Sequence, residues 1–188
     1  PVTRNLIQTQ YSTYNRSLLP ALRKAGLVVV ESHEAMTKEQ KAFTDQYFEE
    51  SIYPVLTPMA MDSARPFPLV RNKTLNIGAL ILKKGKKEKE ELEFATVQVP
   101  SVLPRIVEIP CQKEGKKAVI LLEEIIERNI GKLFLSNQVV CACPYRIIRN
   151  ADLTIDEDEA ADLLSEIQKQ IKKRQWGEVI RLDVDEKM

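Results

Sequence analysis

The chain has 188 residues, of which 44% are hydrophobic, and its 28 basic and 27 acidic side chains leave a formal net charge of +1. This balance excludes a global electrostatic field that would attract nucleic acid or an anionic membrane, so any polyanion site has to be local. No stretch approaches the ~20 apolar residues that span a bilayer. The three cysteines, an odd number, favour a reducing compartment over a disulfide framework.

The first predicted element is a helix over residues 4–25, where apolar side chains recur at nearly helical spacing. Gly26 follows it and suits the left-handed conformation that often ends a helix. Pro20 lies inside this segment and predicts a kink or a break, because proline has no backbone N–H to donate. The β-branched run at residues 27–31 then predicts a short strand.

A second helix is predicted over residues 38–52, because Thr37 and Gln40 have the spacing of a capping box. Residues 53–68 contain four prolines, which disfavour helix and interior strand. These prolines are Pro54, Pro58, Pro66 and Pro68. We therefore expect an extended connection in this segment.

The middle of the chain predicts strands more than helices. Residues 75–82 and 93–99 flank a loop rich in lysine and glutamate, which is typical of a β-hairpin with a solvated tip. Residues 105–109 predict another short strand. The run from residue 118 predicts a strand that leads into a helix over residues 122–133, whose apolar residues lie on one face.

The last third predicts strand, helix and strand. Residues 139–148 are strand-like, and Pro144 predicts an edge position or a bulge. Asp156 can cap a helix that ends at Gly177, and residues 179–184 predict a final strand. Because strands and helices do not alternate strictly, the sequence predicts an α+β fold with helices packed on a mixed β-sheet.

His33 is the only histidine, and an imidazole could serve as a phosphorylated group or a general base. Neither a glycine-rich phosphate loop nor an arginine cluster accompanies it in the sequence. We therefore interpret His33 as a surface-loop residue without a catalytic role, and we predict no catalytic residue in this chain.

No metal site is predicted from the sequence. Cys141 and Cys143 are two apart on a strand, but with only the distant Cys111 they lack the spacing of a zinc site and are interpreted as buried structural thiols. The acidic residues between 152 and 162 lack the pattern of a calcium loop and suit a helix N-terminus.

Arg146 and Arg149 lie three residues apart at a predicted strand end. Guanidinium groups bind phosphate oxygens well, so these two residues are candidate polyphosphate ligands. They also pair with carboxylates, and Asp152 and Asp156 are near in sequence. Structural ion pairing and phosphate contact both remain open, and we favour the ion pairs.

Two dense segments, residues 53–68 and 145–160, resemble the middle, or head, domain of bacterial polyphosphate kinase. The first begins Tyr-Pro-Val-Leu-Thr-Pro and the second Tyr-Arg-Ile-Ile-Arg-Asn. The resemblance implies that residues 1–26 are the last helix of a preceding helical domain. It also implies that residues 27–188 are a head domain truncated at its C-terminal end, so we expect the chain to be a fragment.

The resemblance also implies a function for the full-length protein. That protein would transfer the terminal phosphate of ATP reversibly to inorganic polyphosphate through a phosphohistidine, with Mg²⁺. In the family the catalytic histidines lie in later domains, so this chain would hold no cofactor and be inactive alone. Its expected partners are the remaining domains of the same chain and a second subunit, with no nucleic acid. The expected location is the cytoplasm or the inner face of the membrane, as a peripheral protein.

Two other functions remain open. The chain could be an autonomous polyanion-binding module that uses Arg146, Arg149 and the lysines between residues 83 and 89. Those lysines alternate with glutamates and lack aromatic neighbours, which is more typical of a solvated turn. The chain could also be a small phosphohydrolase that depends on His33.

Overall fold

The computed structural model describes residues 2–61, 68–83, 91–113, 115–135, 137–150 and 177–185. The chain divides into two compact units. The first unit contains residues 1–55 and 100–129, and the second contains residues 56–99 and 130–188. The first has a three-stranded mixed sheet and the second a five-stranded sheet, so the prediction of an α+β fold is confirmed. The boundary predicted at residue 26 concerns a neighbouring domain and stays a prediction.

The described α-helices are α1 (Val2–Thr13), α2 (Leu19–Lys24), α3 (Lys38–Tyr47) and α4 (Leu122–Asn129). Shorter helical turns are formed by Tyr14–Leu18, His33–Ala35, Phe48–Ile52, Tyr53–Val55 and Ile130–Leu133. The strands are β1 (Leu27–Val30), β2 (Pro58–Ala60), β3 (Leu75–Lys83), β4 (Glu91–Gln98), β5 (Ile106–Ile109), β6 (Lys117–Leu121), β7 (Asn137–Arg149) and β8 (Val179–Val184). The predicted helix from Asp156 to residue 176 lies outside the described residues.

The predicted N-terminal helix is confirmed, and so is its irregularity near Pro20. A π-helical turn joins α1 to α2, with the N–H of Leu19 bonded to the carbonyl of Tyr14 five residues earlier. This wider turn lies directly before Pro20, which has no N–H for the regular pattern. Gly26 follows the helix with φ of +89°, as its predicted position requires.

In the first unit the sheet order is β1-β6-β5. β1 runs parallel to β6, with Val30 opposite Ile120, and β5 is antiparallel to β6. Because parallel strands end at the same edge of a sheet, the turn after β1 and the start of α4 after β6 are brought together. The N–H of Leu122 donates to the carbonyl of Arg105 at 2.7 Å, which fixes where α4 begins.

The helix predicted over residues 38–52 is confirmed, with α3 followed by the π-helical turn. Thr37 and Gln40 form both bonds of the predicted capping box. The amide of Gln40 also donates to the carbonyl of Pro110 at 2.8 Å, so the cap is tied to the segment after β5. Phe48 and Ile52 are fully buried in this unit.

In the second unit the sheet is antiparallel in the order β2-β4-β3-β7-β8, and the predicted hairpin is the β3–β4 pair. The expectation of an extended connection after residue 52 needs correction at its start, and residues 62–67 of that segment lie outside the described residues. A 3₁₀ turn passes through Pro54, and β2 begins at Pro58 on the edge of the sheet. Both positions tolerate proline, because a first turn and an edge strand each leave an N–H without an obligatory partner.

The edge position predicted for Pro144 is wrong, since β7 is paired on both sides, by β3 and by β8. The carbonyl of Pro144 accepts the N–H of Asp185, beyond the end of β8, so the nitrogen faces the same side. Little of the ladder is therefore lost there. A register irregularity does occur in β7, but opposite Leu80 and Ile81.

Among the residues that the structure describes, no helix has both the length and the apolar character needed to cross a bilayer.

Candidate functional site

Arg146 is bound by a carboxylate of the neighbouring strand. It lies opposite Asp183 in the β7–β8 pair, and its Nε and Nη2 donate to Oδ2 of Asp183 at 3.2 and 2.9 Å. Nε of Arg181 donates to the other oxygen, Oδ1, of Asp183. Partial burial disfavours the charge on Asp183, but the hydrogen bonds from both arginines outweigh it and lower the pKa of this carboxyl.

Arg149 binds backbone carbonyl groups. Its Nη1 donates to the carbonyl of Gly177 at 2.9 Å, and its Nη2 and Nε donate to the carbonyl of Val70 at 3.1 and 3.3 Å. Its own N–H donates to Oδ1 of Asn72 at 3.0 Å. The guanidinium group therefore joins the end of β7 to two other segments of the second unit.

The two arginines thus have structural partners among the described residues. Arg146 forms an ion pair with Asp183, whereas Asp152 and Asp156 lie outside the described residues, so pairing with them stays a prediction. The side chain of Arg146 is still 46% exposed. Contact of either arginine with polyphosphate stays a prediction. Of the lysine run, Lys84, Lys86, Lys87 and Lys89 lie beyond the described segments, and only the backbone of Lys83 is described.

His33 is not the exposed loop residue that we expected. Its side chain is only 17% exposed, and the side chain of its neighbour Glu124 only 12%. Both the backbone N–H and Nδ1 of His33 lie close to Oε2 of Glu124, at 2.9 and 3.2 Å. The histidine therefore has a carboxylate partner, which the sequence alone did not reveal.

A second carboxylate completes this cluster. Glu127 lies three residues after Glu124 on α4, so both side chains are on one face of the helix. One ligand atom from each of His33, Glu124 and Glu127 lies within 4.8 Å of the others. We call these three residues the His33 cluster.

The signal for this cluster in the sequence was weak. Glu124 resembles the acidic residues that commonly begin a helix, and His33 is 91 residues away from it. Only the parallel pairing of β1 with β6 brings them together. That pairing depends on contacts distant in sequence, which local patterns do not encode.

The interpretation of the cysteines as buried thiols is correct for Cys143 and wrong for Cys141. Cys143 is buried, Cys141 is exposed and Cys111 is intermediate. Cys141 lies opposite Leu80 in the sheet, which is also exposed. On this face of the sheet, Cys143 is therefore shielded from solvent, whereas Cys141 and Leu80 are not.

Comparison with known proteins assigns the chain to a family. The sequence pattern of the polyphosphate kinase middle domain matches residues 39–188, which is most of the chain. The chain belongs to the polyphosphate kinase family. The resemblance seen in the sequence is therefore confirmed.

Polyphosphate kinases of several bacteria align with nearly all of the chain. The polyphosphate kinase of Lactiplantibacillus plantarum is 45% identical over 97% of this chain and 25% of that protein. The polyphosphate kinase of Bacillus anthracis is 44% identical over 95% of the chain and 25% of that protein. The chain thus spans about a quarter of the length of these relatives.

A solved polyphosphate kinase structure has the same fold. The crystal structure of polyphosphate kinase from Porphyromonas gingivalis matches 88% of the chain and 27% of the solved chain, with a TM-score of 0.65. Sequence identity in this alignment is 23%. At that identity, the comparison supports the fold of this chain and not the roles of individual residues.

Proposed function

We propose that this chain is a non-catalytic scaffold of a polyphosphate kinase. The whole protein would transfer the terminal phosphate of ATP reversibly to inorganic polyphosphate, using a phosphohistidine, ATP and Mg²⁺. Membership of the polyphosphate kinase middle-domain family supports this proposal. The nucleophile would belong to a part of the enzyme other than the segment described here.

The surroundings of His33 carry the non-catalytic part of the proposal. Phosphoryl transfer requires cationic groups around the transferred phosphate, to offset its negative charge. His33 instead lies beside two carboxylates, Glu124 and Glu127. These groups would repel an incoming phosphate, so this histidine is unsuited to be a phosphohistidine. The same repulsion argues against a phosphohydrolase that uses His33.

The exposed face of α1 and the following turn supports an interface role. Large apolar side chains along this helix are exposed to solvent: Val2, Leu6, Tyr11, Tyr14 and Leu18. An exposed apolar stripe of this kind is typical of a contact surface. We propose that it packs against other domains of the enzyme, and that the head domain contributes to a homo-oligomer by meeting the N-terminal domain of another subunit.

We also propose a cytoplasmic location, either free or peripheral at the inner face of the membrane. None of the three cysteines, at positions 111, 141 and 143, forms a disulfide. Thiols outside disulfides, one of them exposed, suit a reducing compartment.

The chain alone should show no polyphosphate synthesis. Purified protein would be incubated with Mg²⁺, γ-labelled ATP and long-chain polyphosphate, and both product and protein-bound label would be measured. We expect neither, because the groups that the structure places beside His33 are the carboxylates of Glu124 and Glu127. His33→Asn is the control variant. Label that persists on the wild-type protein and disappears from this variant would refute the proposal.

A polyanion-binding module is the second candidate, because the side chain of Arg146 remains 46% exposed while paired to Asp183. Fluorescence anisotropy with labelled polyphosphate distinguishes the two functions. The scaffold proposal expects no saturable affinity for polyphosphate. Salt-dependent binding that is weakened by Arg146→Ala but not by Arg4→Ala, which removes the same charge from α1, would favour the binding module.

A further inference from the structure

We propose that the His33 cluster binds a divalent first-row transition-metal ion. Its three potential ligand atoms, one each from His33, Glu124 and Glu127, lie within 4.8 Å of one another. Imidazole nitrogen and carboxylate oxygen are ligands that Zn²⁺, Co²⁺ and Mn²⁺ share. The proposal does not depend on the scaffold function, since the site could tie two elements together in a protein of any activity.

The fold already holds two of the proposed ligands, His33 and Glu124, next to each other without a bound metal. The backbone N–H of His33 donates to Oε2 of Glu124 at 2.9 Å, so the turn after β1 orients that carboxylate. α4 itself is anchored by Leu122 and Ile125, which are fully buried. A site whose ligands are already ordered loses less conformational entropy when an ion binds.

One neighbouring acidic residue, Glu123, does not belong to the cluster. Glu123 directly precedes Glu124, but its carboxylate is bound by Nε and Nη2 of Arg105. The hydrogen bond that Arg105 donates to Glu123 is the largest reason why the pKa of Arg105 is raised. Of the two carboxylates in the first turn of α4, that of Glu123 therefore binds Arg105, and that of Glu124 belongs to the His33 cluster.

The observed spacing fits a metal centre. Metal–ligand bonds of about 2.1 Å in a tetrahedral arrangement place adjacent ligand atoms about 3.4 Å apart. Nδ1 of His33 and Oε2 of Glu124 are 3.2 Å apart. An ion could thus bridge these two atoms with a small adjustment, and a ligand atom of Glu127 lies within 4.8 Å of both.

The ligand atoms of the cluster also favour a cation. The side chains of Glu124 and Glu127 supply carboxylate oxygens, which are suitable ligands for a divalent cation. A cluster without thiolates and with one nitrogen ligand is suited to Co²⁺, Zn²⁺ or Mn²⁺ more than to a purely oxygen-coordinated ion such as Ca²⁺.

Titration with Co²⁺ tests this proposal, because its visible absorption reports both binding and the type of ligand. Metal-stripped protein should bind one equivalent of Co²⁺ without the charge-transfer band that thiolate ligands produce. His33→Ala and Glu127→Gln should each weaken the affinity at least about tenfold. Glu34→Gln is the matched control: it removes one charge next to His33, from an exposed residue, and should leave the affinity unchanged.

The outcomes of this titration are decisive. Thermal unfolding shows whether His33→Ala is folded. If it is not, the metal affinity of Glu127→Gln alone tests the proposal, because the half-buried Glu127 should tolerate substitution better than His33. Co²⁺ should also raise the unfolding midpoint of the wild-type protein and not that of Glu127→Gln. Absence of saturable binding, a thiolate band, or equal affinity in the wild type and both ligand variants would overturn the proposal.

Discussion

Replacing Phe48 by alanine should lower the free energy of unfolding by about 3 to 5 kcal/mol. Phe48 is 0% exposed, and its ring meets the edge of Tyr53 with ring centroids 6.0 Å apart. The substitution removes the buried ring and leaves a cavity that a close-packed core can fill only in part. Denaturant unfolding followed by circular dichroism measures the change.

Phe43 provides the matched control in the preceding helix. Its ring is 39% exposed and stacks on Tyr47 at the surface. Phe43→Ala removes the same atoms without opening a buried cavity, so we expect a loss below about 1 kcal/mol. Equal losses for the two variants would show that Phe48 does not belong to the core of the first unit.

The elements that local chemistry specifies were predictable from sequence. The capping box of Thr37 and Gln40 formed as expected, because both of its bonds join residues three apart. Gly26 took a positive φ, and the hairpin of residues 75–98 formed around its charged loop. In each case the deciding interaction lies within a few residues or within one hairpin.

Long-range pairing was not predictable. Nothing near residues 27–30 indicates that β1 pairs with β6, about 90 residues later, and the His33 cluster depends on that pairing. The edge position of Pro144 was predicted wrongly for a similar reason. Proline at an interior strand position is acceptable only because its nitrogen faces the end of β8, which depends on where another strand stops.

The partners of the candidate site residues Arg146 and Arg149 were equally difficult to predict from the sequence. Their type and spacing suggested either phosphate or carboxylate partners, and sequence proximity favoured Asp152 and Asp156. Among the described residues, the carboxylate that binds Arg146 belongs to Asp183, which the sheet places directly across from it, while Asp152 and Asp156 are not described. Partner choice on a strand follows cross-strand register more than distance along the chain.

Tyr145→Phe should destabilise the protein by about 1 to 3 kcal/mol, although it removes a single oxygen. The hydroxyl groups of Tyr145 and Thr96 share a hydrogen bond of 2.8 Å, and Thr96 is 1% exposed. Without the phenol, the hydroxyl of Thr96 would remain buried and lose this partner. The ring itself should keep its packing against Val70, Ile147 and Phe94.

A double-mutant cycle separates the hydrogen bond from packing. Thr96→Val should cost a similar amount, whereas the double variant Thr96→Val/Tyr145→Phe should cost less than the two single changes added together, because neither hydroxyl is then left without its partner. Denaturant unfolding of all four proteins gives the coupling energy. Additive losses would show that the 2.8 Å contact contributes nothing to stability.

The same tyrosine predicts a dependence on alkaline pH. Burial raises the pKa of the Tyr145 hydroxyl above its ordinary value of 10.0, and this outweighs the opposing hydrogen bond from Thr96. A group whose pKa is higher in the folded state contributes stability that is fully present below its unfolded pKa and is lost as pH rises through its folded pKa. Unfolding free energies of the wild type should therefore fall from about pH 10 upward more steeply than those of Tyr145→Phe, since phenylalanine has no proton to lose. Parallel pH profiles for the two proteins would mean that the phenol is as accessible to ionisation in the folded state as in the unfolded chain.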